Sequence, residues 1–423
     1  MRKFFVVLLV LCLLTGAVFA AGGRDTGGGR ATTITYWQYF FQSKVELVDD
    51  LIPVFERQNP GVRVEHEHFP YEAYIQRVAA SLPVGTGPEI VNLFYGWLPN
   101  YVKNGWLQAL PEPDFNAAYF RDNFFPFVAE SVRFDGRHYS VPTAVRSLAL
   151  LWNKRMFREA GLDPERPPQT LDELVEYARR LSRVDAQGNL IQSGLSMHVA
   201  GQGHSWLRDI LFRQFGVEPY SADGRRVTYN TPQGVQALTW YTNLMMGNDR
   251  VGYPGFVADD PTGFRGNLLA MVIDGSFRIG TYLPLTELEW GAAEIPSHNG
   301  IRANYASFWT NSIVQGVRGP ELDASISFLK FLASPEVQGQ WLERVGELPA
   351  NPQYAARHAN TPFVGEFLKG LEYAHATTFV DETGQRDLFI EMIGRVRLQN
   401  IPPAQALRET AEREQRMIDD FWR

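Results

Sequence analysis

Two short runs concentrate the side chains best able to do chemistry: Tyr36-Trp37-Gln38-Tyr39-Phe40-Phe41 and Phe94-Tyr95-Gly96-Trp97. Aromatic faces beside hydrogen-bonding groups suit a ligand with apolar C–H faces and polar edges, which describes a sugar. The same rings also suit a core, so each is weighed against burial. His66 and His68 flank Glu67, and on a strand both rings point to one face. A metal site needs a third and a fourth ligand. None accompanies this pair, so neither metal nor cofactor is expected. The glycines between Gly22 and Gly29 have no Gly-Lys-Ser/Thr after them and no strand before them, which excludes a phosphate loop. No Gly-x-Ser-x-Gly elbow or His-Glu-x-x-His helix occurs. A secreted glycan hydrolase, the rival from another class, needs two carboxylates about 5–10 Å apart.

The elements that must position these rings alternate. Thr32 to Trp37 reads as a strand, with β-branched and aromatic residues in alternation. Lys44 to Gln58 reads as a helix with Val45, Val48, Ile52 and Phe55 at helical spacing, stopped by Asn59-Pro60-Gly61. Val62 to Phe69 is a second strand, Tyr71 to Leu82 a second helix, and Glu89 to Leu93 a short buried strand. That order implies a parallel sheet wrapped by helices. Further on, Thr170-Leu171-Asp172-Glu173 is a capping box opening a helix through Leu181. Trp206 to Phe215, Thr231 to Met246, Glu321 to Leu332 and Pro402 to Phe421 read as helices. Ser334-Pro335 opens one more, with Ser as N-cap. Leu268 to Ile273 reads as a strand ending at Asp274-Gly275.

The N-terminus reads as an export signal. Arg2 and Lys3 precede the apolar run Phe4 to Leu14, which is too short to span a bilayer at roughly 20 residues. Val18-Phe19-Ala20 predicts cleavage after Ala20 or Ala21. Cys12 follows Leu11 in mid-run, which spoils it as a lipid acceptor, so a cleaved, unanchored, cysteine-free mature protein is expected outside the cytoplasm. Residues 21–31 form a flexible leader. Removing Arg2 and Lys3 leaves 38 basic against 47 acidic residues, a formal charge of −9. That balance argues against nucleic acid and anionic membrane surfaces as partners. About 400 residues suggest two or three domain units.

Several stretches, in this order, resemble family 1 extracellular solute-binding proteins of ABC importers, the maltose-binding-protein-like sugar type. They are Leu51-Ile52-Pro53-Val54-Phe55-Glu56 with Asn59-Pro60-Gly61-Val62, and Gly85-Thr86-Gly87-Pro88-Glu89-Ile90-Val91. Next come Gly136-Arg137-His138-Tyr139-Ser140-Val141-Pro142, Leu151-Trp152-Asn153-Lys154 and Phe157 to Leu162. Ala270 to Phe277 and Gly346-Glu347-Leu348-Pro349-Ala350 complete the set. The resemblance implies an α/β, two-lobed periplasmic-binding-protein fold of type II. Each lobe would be a mostly parallel sheet flanked by helices, joined by a hinge crossed three times. The expected N lobe is 32–143 and 297–333, and the C lobe 147–293 and 336–423. The crossings fall near 143–147, 293–297 and 333–336. The resemblance also implies a monomer, not an enzyme, that closes on a small solute and delivers it to separate permease subunits in the membrane.

The resemblance directs attention to particular residues. Arg146 lies at the first crossing, where relatives place a polar or acidic contact. Its five fixed donors suit paired hydroxyls or a carboxylate, and it departs from the acidic residue of the maltose-binding relative. That departure leaves room for an acidic sugar. The competing reading is an interlobe salt bridge. Tyr95 and Trp97 follow a strand, where open α/β sheets bind ligands, and Trp37 and Tyr39 end another. Phe277 matches an aromatic sugar platform, with Asp274 and Ser276 beside it. Trp309 offers a second stacking face, with Asn311 on the same strand. His204, Ser205 and Trp206 precede a helix and are placed at the cleft from the C lobe. A carbohydrate, mono- or oligosaccharide, is the expected solute. An anion, polyol or polyamine is the alternative on the same fold.

Overall fold

The alternating start of the chain makes β1 (Thr32–Tyr39), the spine of the first sheet. The computed structural model describes residues 31–247 and 250–423. The expected signal, leader and Cys12 lie outside the described residues. After β1, α1 (Gln42–Gln58) buries Val45, Val48, Leu51, Ile52 and Phe55 on one face, with Pro53 inside the helix. At Gly61 φ is +95°, a turn that a side chain rarely adopts. It returns the chain as β2 (Val62–Phe69), parallel to β1 along its whole length. Next, α2 (Tyr71–Ser81) leads to β3 (Ile90–Phe94), parallel to β1 on its other side.

The chain then forms β4 (Val141–Pro142) and β5 (Leu148–Asn153). A helix α3 (Leu171–Leu181) follows, with Thr170 Oγ1 accepting from the Glu173 N–H at 3.2 Å as the capping box predicts. Then come α4 (Pro232–Asn243), β6 (Met271–Gly275), β7 (Trp290–Ala293) and β8 (Trp309–Ile313). Four helices complete the chain: α5 (Gly319–Leu332), α6 (Pro335–Val345), α7 (Glu382–Gln399) and α8 (Pro403–Trp422). Ser334 caps α6 as expected.

The fold is the α/β periplasmic-binding-protein fold, with two sheets flanked by helices. The first sheet runs β2-β1-β3-β8-β4, and β8 is antiparallel to both its neighbours. The second runs β6-β5-β7 with both ladders antiparallel. The expectation of mostly parallel sheets is therefore corrected. A parallel pair needs a crossover connection, which α1 and α2 supply around β1; β8 enters the first sheet from a distant part of the chain and runs the other way.

Two apolar clusters hold these layers, and β5 serves both. Its Ala149 and Leu151 join the cluster under the first sheet, while Leu148, Leu150 and Trp152 face the other. This is period-two alternation on a strand covered on both sides. The stretch read as helical from Trp206 is helical, with unusual turns. Val199–Gly203 and Trp206–Leu211 are π-helical, and only Phe212–Gln214 is α. Such wide turns are rare and favour functional segments; here they carry part of the cleft wall.

Candidate ligand-binding cleft

Tyr39 ends β1, Phe94 ends β3, and Trp309 opens the antiparallel β8 opposite Phe94. All three rings therefore emerge at the carboxyl edge of the parallel strands, where such sheets bind ligands. Tyr39 stacks on Trp309 with centroids 4.0 Å apart and planes at 29°. Trp97, Phe94 and Tyr71 meet Trp309 edge-on at 5.4, 6.0 and 6.3 Å. Opposite this wall stand Ala200-Gly201-Gln202 and His204-Ser205, with Gly275 and Phe277 after β6 and Glu382 and Arg386 in the first turns of α7. Arg146, Leu148, Tyr305 and Ser307 form the floor. The cavity measures about 320 Å³, at the small end of the ~300–1,000 Å³ usual for ligand pockets.

The floor is tightly bonded. Arg146 and Ser307 exchange backbone hydrogen bonds of 2.8 and 3.1 Å. Ala144–Val145 pairs with Leu348–Pro349, and the Asn304 side chain bonds both backbone groups of Leu148, at 3.2 and 2.8 Å. The Arg146 side chain donates from Nε to Glu347 at 2.6 Å and from Nη2 to Tyr39 Oη at 3.2 Å. It lies over Phe277 at 4.9 Å. Glu347 also accepts from Lys44 Nζ at 2.5 Å, with both side chains almost wholly buried. Lys44 in turn lies 5.3 to 5.7 Å from the rings of Tyr39, Phe41 and Trp341, a cation–π cage. Burial alone would raise the Glu347 pKa, but Arg146 and Lys44 hold it below the ordinary carboxylate value. Burial likewise opposes the Arg146 charge, and Glu347 and Tyr39 more than offset it.

Of the expected residues, the cleft gathers Arg146, Tyr39, Trp309, Phe277, His204 and Ser205. His204 is buried, and burial followed by Arg208 and Arg386 holds its pKa well below the imidazole range. The ring is neutral at pH 7, one nitrogen donating and the other accepting. The remaining candidates lie beneath or beside the surface. Trp37 is two residues deeper along β1, packed between Phe69 and Arg77. Tyr95 stacks on Phe308 at 4.7 Å. Trp97 supports Trp309 from behind and lines a smaller cavity with Asn100, Tyr101 and Asp381–Thr383. Asp274 is occupied by the Gly275 N–H and Arg278. Ser276 is fully buried. Asn311 accepts from Tyr36 and Asn92 inside the sheet, and Trp206 packs edge-on against Trp240 and Tyr241.

His66 pairs with Asp49 at 2.7 Å and stacks on Tyr36. Among the described residues no group of three or more metal-ligating side chains converges.

Sequence reasoning missed Lys44, Tyr71, Tyr305, Glu347, Glu382 and Arg386. Glu347 had a readable signal, as a lone carboxylate followed by the apolar Leu348-Pro349-Ala350. Glu382 and Arg386 had none, because a Glu and an Arg four residues apart look like an ordinary pair on a solvated helix. Among the described residues lining the cavity, Glu382 is the one carboxylate and it faces Arg386 at 3.4 Å. That falls short of the two free carboxylates of a glycosidase.

Residues 50–364 match a family model described as bacterial extracellular solute-binding protein. The chain is 23% identical over 356 residues to the sn-glycerol-3-phosphate-binding periplasmic protein UgpB of Escherichia coli (strain K12), covering 79% of this chain and 78% of that one. Among solved structures, an ABC transporter solute-binding protein from Thermotoga lettingae TMO bound with alpha-D-tagatose superimposes with a TM-score of 0.79 at 22% identity. That match covers 92% of this chain and 100% of the other. The sugar-binding protein MalE from Xanthomonas citri gives a TM-score of 0.77 at 20% identity, covering 92% and 98%.

Proposed function

The chain belongs to the bacterial extracellular solute-binding protein family, and from that premise we propose that its cleft captures a carbohydrate. As a member it is a non-enzymatic component of ABC import that binds a small solute outside the cytoplasm for delivery to permeases. Among the described residues no helix is long and apolar enough to cross a membrane.

The observation that carries the carbohydrate reading is the exposed Tyr71 ring, backed by the buried Tyr39–Trp309 stack, facing Gln202, His204 and Ser205. A pyranose or furanose offers its C–H face to the Tyr71 ring and its hydroxyls to the polar side. Relatives named for tagatose, for sugars and for glycerol-3-phosphate share one chemistry, a small polyhydroxylated solute. Closure in our reading brings the lobe built from 32–143 and 297–333 onto the lobe built from 147–293 and 336–423. A solute that touches both shifts the population toward the closed form. The crossing at 143–147 lies in the bonded floor. That at 293–297 includes Ser297, bonded to Gln169 and Leu171, and that at 333–336 holds the cap of α6.

The test is a thermal-shift screen of mono- and oligosaccharides followed by chromatography of the same mixtures. A raised melting temperature with unaltered sugar supports the reading. No response to any sugar, or conversion of one, overturns it.

A further inference from the structure

We infer that the solute carries an oxyanion, a carboxylate or a phosphate, seated against Arg146; this rests on the carbohydrate reading and makes it narrower. Lys44 and Arg146 stand at or directly behind the cleft surface and share one carboxylate, Glu347. Two cations face one carboxylate, so one positive charge is left over. Arg386 adds none, because it is flanked by Glu382 at 3.4 Å and Asp387 at 3.8 Å. His204 adds nothing, since it is held neutral. The neighbouring Arg278–Asp274 and Arg208–Asp209 pairs cancel one against one. This surplus lies in a chain whose formal charge is −7, so it is local and not a reflection of composition.

The geometry assigns the surplus to Arg146. Lys44 is satisfied twice, by Glu347 and by its three rings, and is sealed from solvent. Glu347 spends one oxygen, Oε1, on both cations. Arg146 uses Nε and Nη2 on Glu347 and Tyr39. Among the described residues none takes a hydrogen bond from its Nη1, and its side chain keeps 15% exposure in the cavity wall. Glu347 and Tyr39 keep the Arg146 charge favourable despite its burial, yet its one carboxylate is shared with Lys44, so an anion at Nη1 would complete the pairing with a charge-assisted bond. Sugar hydroxyls would accept from Nη1 without neutralising anything.

The experiment is calorimetric titration of the full mature chain with matched probes. They are neutral glucose, galactose and xylose, the corresponding uronates, the corresponding sugar phosphates, and inorganic phosphate. An acidic sugar binding at least a hundredfold tighter than its neutral parent is the expected result, and Arg146→Gln should shrink that preference below tenfold. The comparison on the unaltered chain needs no variant to fold. A uronate preference identifies a carboxylate, and a sugar-phosphate preference a phosphate. A neutral sugar binding as tightly as its acidic partners overturns the inference and leaves the carbohydrate reading standing. Inorganic phosphate binding while no sugar does overturns the carbohydrate reading and keeps the oxyanion. Silence from every probe overturns both.

Discussion

Replacing Glu347 by Gln is the sharpest test of how the cleft floor is held. The substitution keeps the shape and removes the one carboxylate shared by Lys44 and Arg146, whose side chains are 2% and 15% exposed. Two buried cations would then face each other without an anion. Breaking a buried pair by deleting one partner costs about 3–5 kcal/mol, a large share of the ~5–15 kcal/mol that holds a typical domain. Lys44→Met should behave differently. It leaves Glu347 and Arg146 paired one to one and puts an apolar chain among Tyr39, Phe41 and Trp341, so its cost should stay within about 1–2 kcal/mol. The double variant should therefore be more stable than the sum of the singles by ~1 kcal/mol or more. Urea unfolding read by tryptophan fluorescence measures all three, since Trp341 borders the cluster. The acid limb gives a second reading. The Glu347 pKa is depressed in the folded chain, so its contribution is present above the unfolded carboxylate value and is lost as pH falls through the folded one. Glu347→Gln should flatten that limb. A destabilisation below about 1 kcal/mol, or strict additivity in the double variant, would refute the charge argument.

Three further outcomes are expected. Tyr71→Ala removes a ring that lines the cleft at 38% exposure; solute affinity should fall about tenfold with little change in melting temperature, and unchanged affinity would remove Tyr71 from the wall. Gly96→Ala places a Cβ 2.8 Å from both Phe379 Cδ2 and Phe94 Cε1, an overpacking worth about 1–3 kcal/mol; an unaltered melting curve would contradict the contact. His138 stacks on Phe120 at 3.6 Å, and burial, then Arg133, push its pKa down to about 4. It stays neutral when folded and takes a proton when unfolded, so stability is full above pH ~6.5 and is lost as pH falls from there toward 4. His138→Phe should lose less stability than the parent between pH 7 and 4.5; an identical slope would show that the ring is not held neutral.

The sequence was legible where local chemistry decides. The Thr170 box, the Ser334-Pro335 start and the strand from Thr32 all stand as the residue types demand. It was half legible at the site, because period two gives the face but not the depth. Trp37 and Tyr39 share a face of β1, yet only Tyr39 lies far enough along to reach the cleft. Trp309 and Asn311 divide the same way on β8. Strand sense was illegible wherever the partner came from far along the chain, as β8 did. Glu382 and Arg386 became visible only when folding brought α7 to the wall.

The position of β8 also has a bearing on time. Asn92 and Asn311 are joined by a 2.8 Å hydrogen bond across 219 residues of chain, so β3 keeps an open edge until nearly three quarters of the polypeptide has been made. Contacts of such separation are slow to form. A family that works outside the cytoplasm needs its chains to cross a membrane, and a sheet that finishes late lengthens the interval in which the polypeptide is still threadable. Refolding followed at Trp309 should accordingly lag refolding of the β5–β6–β7 sheet, whose strands all precede β8 and pair across shorter separations, as Met271 does with Trp152. Coincident phases would assign the delay to some other step.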